Sequence, residues 1–268
     1  MKELMTFEEQ QQVAKNILKT FKKFCDEHNL RYYLSYGTLL GAVRHKDIIP
    51  WDYDIDVLMP RPDFDKFIAL TKDYDIQDKF HVFSHANTPG YYLWFAKFCD
   101  KDTRLVITKT KSKIPLGMWI DIFPLDAIPE DKNTAADLRE KIVSLQNKAL
   151  YPVRNDLTGI YRLIQILKNT FTKNKSVQLL EKAHNLARAN NFEKAKTVGS
   201  FSMFGNAANE YLDKIYYEET TMLQFGDEYY CAPSRYDEML TISYGDYMTP
   251  PKEYEKPRRF AYFINRDV

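Results

Sequence analysis

Only three cysteines, Cys25, Cys99 and Cys231, occur in 268 residues, odd in number and far apart. That argues against a disulfide framework and a four-thiolate zinc site, and it suits a reducing compartment. No apolar run approaches the length needed to cross a bilayer, and the opening MKELMTFEEQ lacks an apolar signal core. The expected location is therefore cytoplasmic, at most touching a membrane. Neither sign of charge prevails, with 38 Lys and Arg against 37 Asp and Glu, so the broad positive field of a nucleic-acid binder is missing. Low-complexity runs and repeats are absent too. What is present is 44% hydrophobic content, enough for a globular chain with a substantial core.

Thr6 with Glu9 three residues on forms a capping box, and Phe7, Val13, Ile17, Phe21 and Phe24 recur near helical spacing, which predicts a helix to about residue 28. RYYLSY (31–36) reads as a strand running into Gly37 and Thr38, with LLGAVR a short helix after it. A strand over Tyr53 to Leu58 follows, stopped by Pro60 and Pro62, and DFDKFIALTKDY then reads as a helix with an acidic first turn. Further strands are predicted at Phe80 to Phe83, Tyr91 to Phe98, Leu105 to Thr108 and Met118 to Phe123. From about Asn133 to Asn190 the pattern is helical, broken by Pro152 and Gly159, and Ser234 is expected to cap a last helix through Leu240. The fold class is α+β, a mixed sheet flanked by helices. A core over 1–130 carries a helical extension over 131–268, and short linkers make the two one continuous domain.

The chemistry concentrates in PWDYDIDVLM, where Asp52, Asp54 and Asp56 stand at alternate positions among aromatic and β-branched residues. On a strand these carboxylates share one face, a repulsion that a divalent cation resolves. Oxygen-only ligation favours Mg²⁺ or Mn²⁺ over zinc. A calcium loop is excluded because Val57 and Asp63 stand where it needs Gly and Glu. Of the two possible registers, Asp54 with Asp56 is preferred for the metal, since Ile55 and Val57 are the apolar partners of a buried strand; Asp52 then lies at the rim as an outer ligand. Asp121, alone among apolar residues in MWIDIF, completes the metal shell or accepts a proton, unless it is a structural acid bonded to backbone. Gly37-Thr38, at a strand end opening a helix, is suited to approach a phosphate oxygen. Together these make a phosphoryl-transfer site.

Two cations are candidates for holding a diphosphate. Arg44 is preferred over its neighbours His45 and Lys46, which a solvated turn explains equally well. Lys97, inside the apolar YLWFAKFC, faces either the acidic or phosphate-bearing site or, as a snorkelling edge lysine, solvent. Tyr36, Trp94 and Trp119 lie close in sequence to the proposed chemistry, although any one of them is explained as ordinary core. Residues 151–200 carry nine Lys and Arg against three Asp and Glu. There Ile160, Leu163, Ile164, Leu167 and Phe171 form an apolar stripe beside Arg162, Lys168, Lys173 and Lys175, either core or a surface for an anionic membrane.

Gly37-Thr38, then Asp54-Ile55-Asp56, then a distant Ile120-Asp121-Ile122 resemble the pattern of the nucleotidyltransferase fold. More narrowly, YGTLLGAVRHKDIIPWDYDIDV with WIDIFPLD and the late YGDYM is similar to the LicD family of phosphotransferases, over roughly residues 30 to 250. The fukutin-type glycan phosphotransferases are relatives with a similar aspartate block. The resemblance implies transfer of phosphocholine from CDP-choline to a sugar hydroxyl of a lipid-linked glycan precursor of teichoic acid or lipopolysaccharide type, with CMP released. It also implies a nucleotidyltransferase-like sheet and a role for Asp246 in orienting the acceptor. Ribitol or glycerol phosphate as the transferred group, nucleotidyl transfer from a triphosphate, and a non-catalytic binding module are the alternatives.

Overall fold

The computed structural model describes residues 4–106, 114–150, 175–202, 211–251 and 262–265. Helix α1, Phe7–His28, starts as its sequence predicts. Thr6 Oγ1 accepts from the Glu9 amide at 3.1 Å, and the Thr6 amide donates to the Glu9 carboxylate at 2.7 Å. Its apolar stripe, Ile17, Leu18, Phe21 and Phe24, is buried. Strand β1 (Tyr33–Leu34), helix α2 (Tyr36–Arg44), strand β2 (Asp56–Pro60) and helix α3 (Arg61–Thr71) follow. Then come β3 (Phe80–Phe83), β4 (Ala96–Asp100), β5 (Thr103–Val106), β6 (Met118–Ile128) and helix α4 (Lys132–Leu150). A helix over 175–188, α5, precedes β7 (Thr197–Gly199), β8 (Leu212–Asp213), β9 (Thr220–Phe225), β10 (Glu228–Pro233), α6 (Tyr236–Tyr244) and β11 (Tyr262–Asn265).

The main sheet has the order β1-β2-β6-β4-β3, with β7 added along the distal half of β6 and β8 beside β7. Only β2 and β6 run parallel; the other pairs are antiparallel. Alternation along β6 sends Ile120 and Ile122 into a core shared with α1 and α3, where Phe21, Phe24, Phe67 and Phe98 meet edge to face or tilted. The opposite face carries Asp121, Phe123 and Leu125. It is covered by α6 and β8 near Leu125, and by α4 and α5 near Phe123. Phe225, Tyr230 and Ala232 of the β9–β10 hairpin and Leu240 of α6 also reach the first core, so both halves of the chain contribute to it.

Several expected boundaries move. The aspartate strand begins at Asp56, so Asp52 and Asp54 belong to the segment that enters it, not to a run of strand with all three carboxylates on one face. RYYLSY shortens to two paired residues, because Ser35 caps α2 and Tyr36 starts it with a left-handed φ of 47°. The strand expected from Tyr91 starts at Ala96. The Tyr91 hydroxyl donates to the Phe95 carbonyl at 2.9 Å within a buried turn, so apolar content there reflects packing and not pairing. The second half is not wholly helical, since β7 extends the main sheet and β9 and β10 form a hairpin. Arg235, not Ser234, occupies the cap of α6. Pro152, Gly159 and the stripe from Ile160 to Lys173 lie outside the described residues.

Candidate active site

Strand register builds the centre of the site. Asp56 on β2 is paired with Asp121 on β6, and Asp121 with Lys97 on β4, so three polar side chains form one row across three neighbouring strands on one sheet face. Asp121 and Lys97 are both buried, and Lys97 Nζ donates to Asp121 Oδ1 at 2.5 Å. The same ammonium sits 4.0 Å from the ring centroid of Trp119 and 5.1 Å from that of Phe95. Of the two placements left open for Lys97, the one toward the acidic residues is observed, not the solvent-facing one. Phe95, two residues before Lys97, is an aromatic partner of this ammonium that the sequence reading did not single out.

The start of helix α2 is tied to this row by two hydrogen bonds to the Asp56 backbone. Thr38 Oγ1 accepts from the Asp56 amide at 2.8 Å, and the Ser35 amide donates to the Asp56 carbonyl at 3.2 Å. The Thr38 amide is already donated to the Ser35 carbonyl at 3.0 Å, so the threonine's own N–H is engaged and its side chain fixes the strand entry. A Cβ at Gly37 would meet Asp52 Oδ2 at 3.1 Å, which explains a residue without a side chain where that carboxylate approaches the helix. The carboxylates perturb one another. Burial, then a hydrogen bond and repulsion from Asp54, push Asp52 up to about 8. Burial also drives Asp56 well above the ordinary carboxylate range; Asp54, Asp121 and Asp52 add to this and Lys97 opposes it. Asp121 is raised by burial against the pull of Lys97, and Trp119 hydrogen-bonds it as well. Asp54 is exposed at the mouth.

Asp52, Asp54, Asp56 and Asp121 are an all-oxygen donor set, free of imidazole and thiolate, whose mutual repulsion a hard divalent cation would relieve. In kind they fit Mg²⁺ or Mn²⁺. Among the described residues, however, no group of three or more His, Cys, Asp or Glu side chains is already arranged to hold a metal ion, and Asp121 is closed onto Lys97.

Other candidates lie elsewhere. The Arg44 guanidinium donates to the Tyr247 carbonyl at 2.7 Å and to His45 Nε2 at 2.9 Å, and it lies over Trp51, so it joins α2 to the YGDYM block. Asp246 in that block is exposed. Tyr36 packs edge-on against Phe123. Trp94 stacks on His184 at 4.1 Å, and Phe95 beside it lies 4.3 Å from Phe123, the ring against which Tyr36 packs.

Comparison with known proteins adds to this geometry. A family model described as LicD/FKTN/FKRP, nucleotidyltransferase domain, matches residues 29–155. The lipopolysaccharide cholinephosphotransferase LicD of Haemophilus influenzae is 30% identical over 268 residues, spanning 97% of this chain and 99% of that protein. Human ribitol 5-phosphate transferase FKRP shares 68% identity over 28 residues, only 10% of this chain and 6% of its own length. Mannosyltransferase regulator 4 of Saccharomyces cerevisiae is 26% identical over 167 residues, 50% of this chain and 14% of that protein.

Proposed function

The chain belongs to the LicD family, and from that membership and the charged row across β2, β6 and β4 we propose that it is a phosphotransferase that moves phosphocholine from CDP-choline to a sugar hydroxyl of a lipopolysaccharide- or teichoic-acid-type precursor. The observation that carries the reading is the in-register alignment of Lys97, Asp121 and Asp56, beside Asp52 and Asp54 and against the first turn of α2.

The acceptor hydroxyl attacks the choline-side phosphorus in line, the bond to the bridging oxygen breaks, and CMP leaves. Asp54 and Asp56, with Asp52 and Asp121 beside them, would hold Mg²⁺ or Mn²⁺, which when bound supplies charge neutralisation at the donor's diphosphate. Thr38 positions Asp56 by bonding its amide. Lys97 supplies a fixed positive charge beside the phosphates, held against Asp121 and the Trp119 face. Lys97 and Trp119 already hydrogen-bond Asp121, so its oxygens are engaged in positioning. The proton of the attacking hydroxyl passes instead to Asp52, at the rim of the site beside Gly37, whose carboxyl is raised by burial and by Asp54. Residues after 131 complete the substrate pockets from the covered face. No helix among the described residues is long and apolar enough to cross a membrane, and the reading puts the protein on the cytoplasmic side, reaching a lipid-linked acceptor from outside the bilayer.

The test is incubation with Mg²⁺ and CDP-choline, CDP-ribitol or CDP-glycerol, with and without a glycan acceptor, measuring CMP. Acceptor-dependent CMP from CDP-choline is the expected result. Reaction of CDP-ribitol alone would transfer the reading to the alternative that the short match with a ribitol 5-phosphate transferase favours. Pyrophosphate from CTP and phosphocholine would make it a nucleotidyltransferase. Asp56→Asn should lower turnover by about two or more orders of magnitude, and a near-native rate would remove the catalytic assignment.

A further inference from the structure

A hollow of about 220 Å³ opens on the same sheet face as the charged row, further along the strands. Leu58 lies two residues beyond Asp56 on β2, roughly 7 Å along the strand, and Leu125 lies four beyond Asp121 on β6. Both line this space, with Ser35 and Tyr36 at the start of α2 closing the side toward Gly37 and Thr38. It interrupts an apolar cluster in which Leu58, Leu125, Leu212, Tyr217 and Met239 otherwise pack together.

Two polar atoms in this wall have no partner. The side-chain oxygens of Ser35 and Ser200 are buried without a hydrogen bond. Ser35 occupies the cap position of α2, where a serine ordinarily bonds a first-turn amide. Here the Thr38 and Leu39 amides go to its carbonyl, and its hydroxyl makes no cap bond. A buried hydroxyl left unsatisfied is unfavourable in the free protein and is expected to be bonded when its partner arrives. None of the described residues lining the space is charged. A quaternary ammonium, which has no donor or acceptor, would leave both hydroxyls unpaired, whereas an uncharged flat ring between the apolar and tyrosine walls, with donors and acceptors on its edge, would meet them.

We propose that this cavity is the nucleobase subsite of the nucleotide donor, and that Ser35 and Ser200 bond the edge of a pyrimidine ring. The inference rests on the phosphotransferase reading for the identity of the donor, and it deepens that reading by assigning the end of the donor that points away from the acceptor. The phosphates then lie over Asp56 and Asp121, one sugar's length from the ring, and the choline end is directed toward the opposite, open side of the row.

Calorimetric titration of the whole protein with CMP and, separately, with phosphocholine tests it, using the unaltered chain, Ser200→Ala and the cavity-filling Leu125→Phe. Ser200→Ala should weaken CMP about fivefold, leave phosphocholine unchanged, and keep or raise the thermal midpoint because an unsatisfied hydroxyl has gone. Leu125→Phe should abolish CMP binding in folded protein. Unchanged CMP affinity in both variants, absence of CMP binding to the unaltered chain, or selective weakening of phosphocholine would each overturn the assignment. Should CMP binding depend on Ser200 in a protein that releases no CMP from any CDP-alcohol, the transferase reading fails while the subsite stands. Normal turnover with serine-independent CMP binding is the reverse case.

Discussion

Lys97 and Asp121 form an ion pair that neither residue can leave without consequence, since both are buried and the bond between them is 2.5 Å. Taking charges out of water is unfavourable, and removing one partner strands the other, a loss of about 3–5 kcal/mol. Asp121→Asn should therefore destabilise the protein by roughly that amount. Asp56→Asn should leave stability equal or higher, because Asp56 is held well above its ordinary range by burial and by Asp54, Asp121 and Asp52. Both substitutions should abolish turnover, so urea unfolding separates two residues that an activity assay does not. The double variant Lys97→Met, Asp121→Asn should recover much of the stability lost by Asp121→Asn alone; additive losses in that cycle would show that the pair is not coupled. At this scale the sequence was informative about residue types and less so about geometry. The alternating aspartates and the lone Asp121 stood out against apolar neighbours. That Asp52 and Asp54 precede the strand did not, because a carboxylate on an extended entry segment and one on a strand have the same spacing.

Between elements, the joints are polar, and this is where sequence reading ran out. Arg61, the first residue of α3, donates to Asp126 on β6 at 2.6 Å, and its Nη1 lies 3.1 Å from His184 Nδ1 on α5. His184 is stacked between Trp94 at 4.1 Å and His85 at 3.9 Å. No periodicity announces such a junction, since its members come from five segments, whereas the elements themselves, such as α1 with its capping box and α3 after Pro60, follow from local chemistry. The junction has a pH signature. Burial, with the charges of Arg188 and Arg61, holds His85 down to about 4 against the pull of Glu181, and burial with His85, Arg61 and Arg188 holds His184 well below its ordinary value. Both folded values lie under the unfolded one near 6.5, so on acidification the unfolded chain takes up protons first. Their contribution is complete above about pH 6.5 and is lost as pH falls from there toward 4, by up to about 1.4 kcal/mol per unit for each histidine. Asp126 and the active-site acids, raised by burial, act in the opposite sense, so a comparison of variants isolates the histidines. His85→Gln should flatten the decline in urea midpoint between about pH 7 and pH 5; an identical slope would remove His85 from the account.

Across the whole molecule, the two ends of the described chain meet behind the charged row. Strand β11 pairs with β5, the Met5 amide donates to the Phe263 carbonyl at 2.8 Å, and the buried Phe263 ring stands 5.4 Å from Trp119, whose other contacts include the Lys97 ammonium. The last strand thus backs the residue that steadies the site's only cation in the row, although nearly the full chain length separates them from Met5. None of this was legible from spacing, because YFIN is too short for a periodic signal and its partner lies more than 150 residues away. If Phe263 supports Trp119, truncating it should act on chemistry as well as on stability. Phe263→Ala should destabilise by about 3–5 kcal/mol, as for any buried phenylalanine, and so should Phe67→Ala, which lies in the core with α1. Measured at a temperature where both variants stay folded, Phe263→Ala should lower kcat severalfold while Phe67→Ala leaves it near the original value. Freedom given to Trp119 loosens Lys97, and a displaced charge stabilises the transition state less well. Equal rates in the two variants would mean that β11 merely closes the sheet, and that the position of Lys97 is set by Asp121 and Phe95 without help from the chain's last strand.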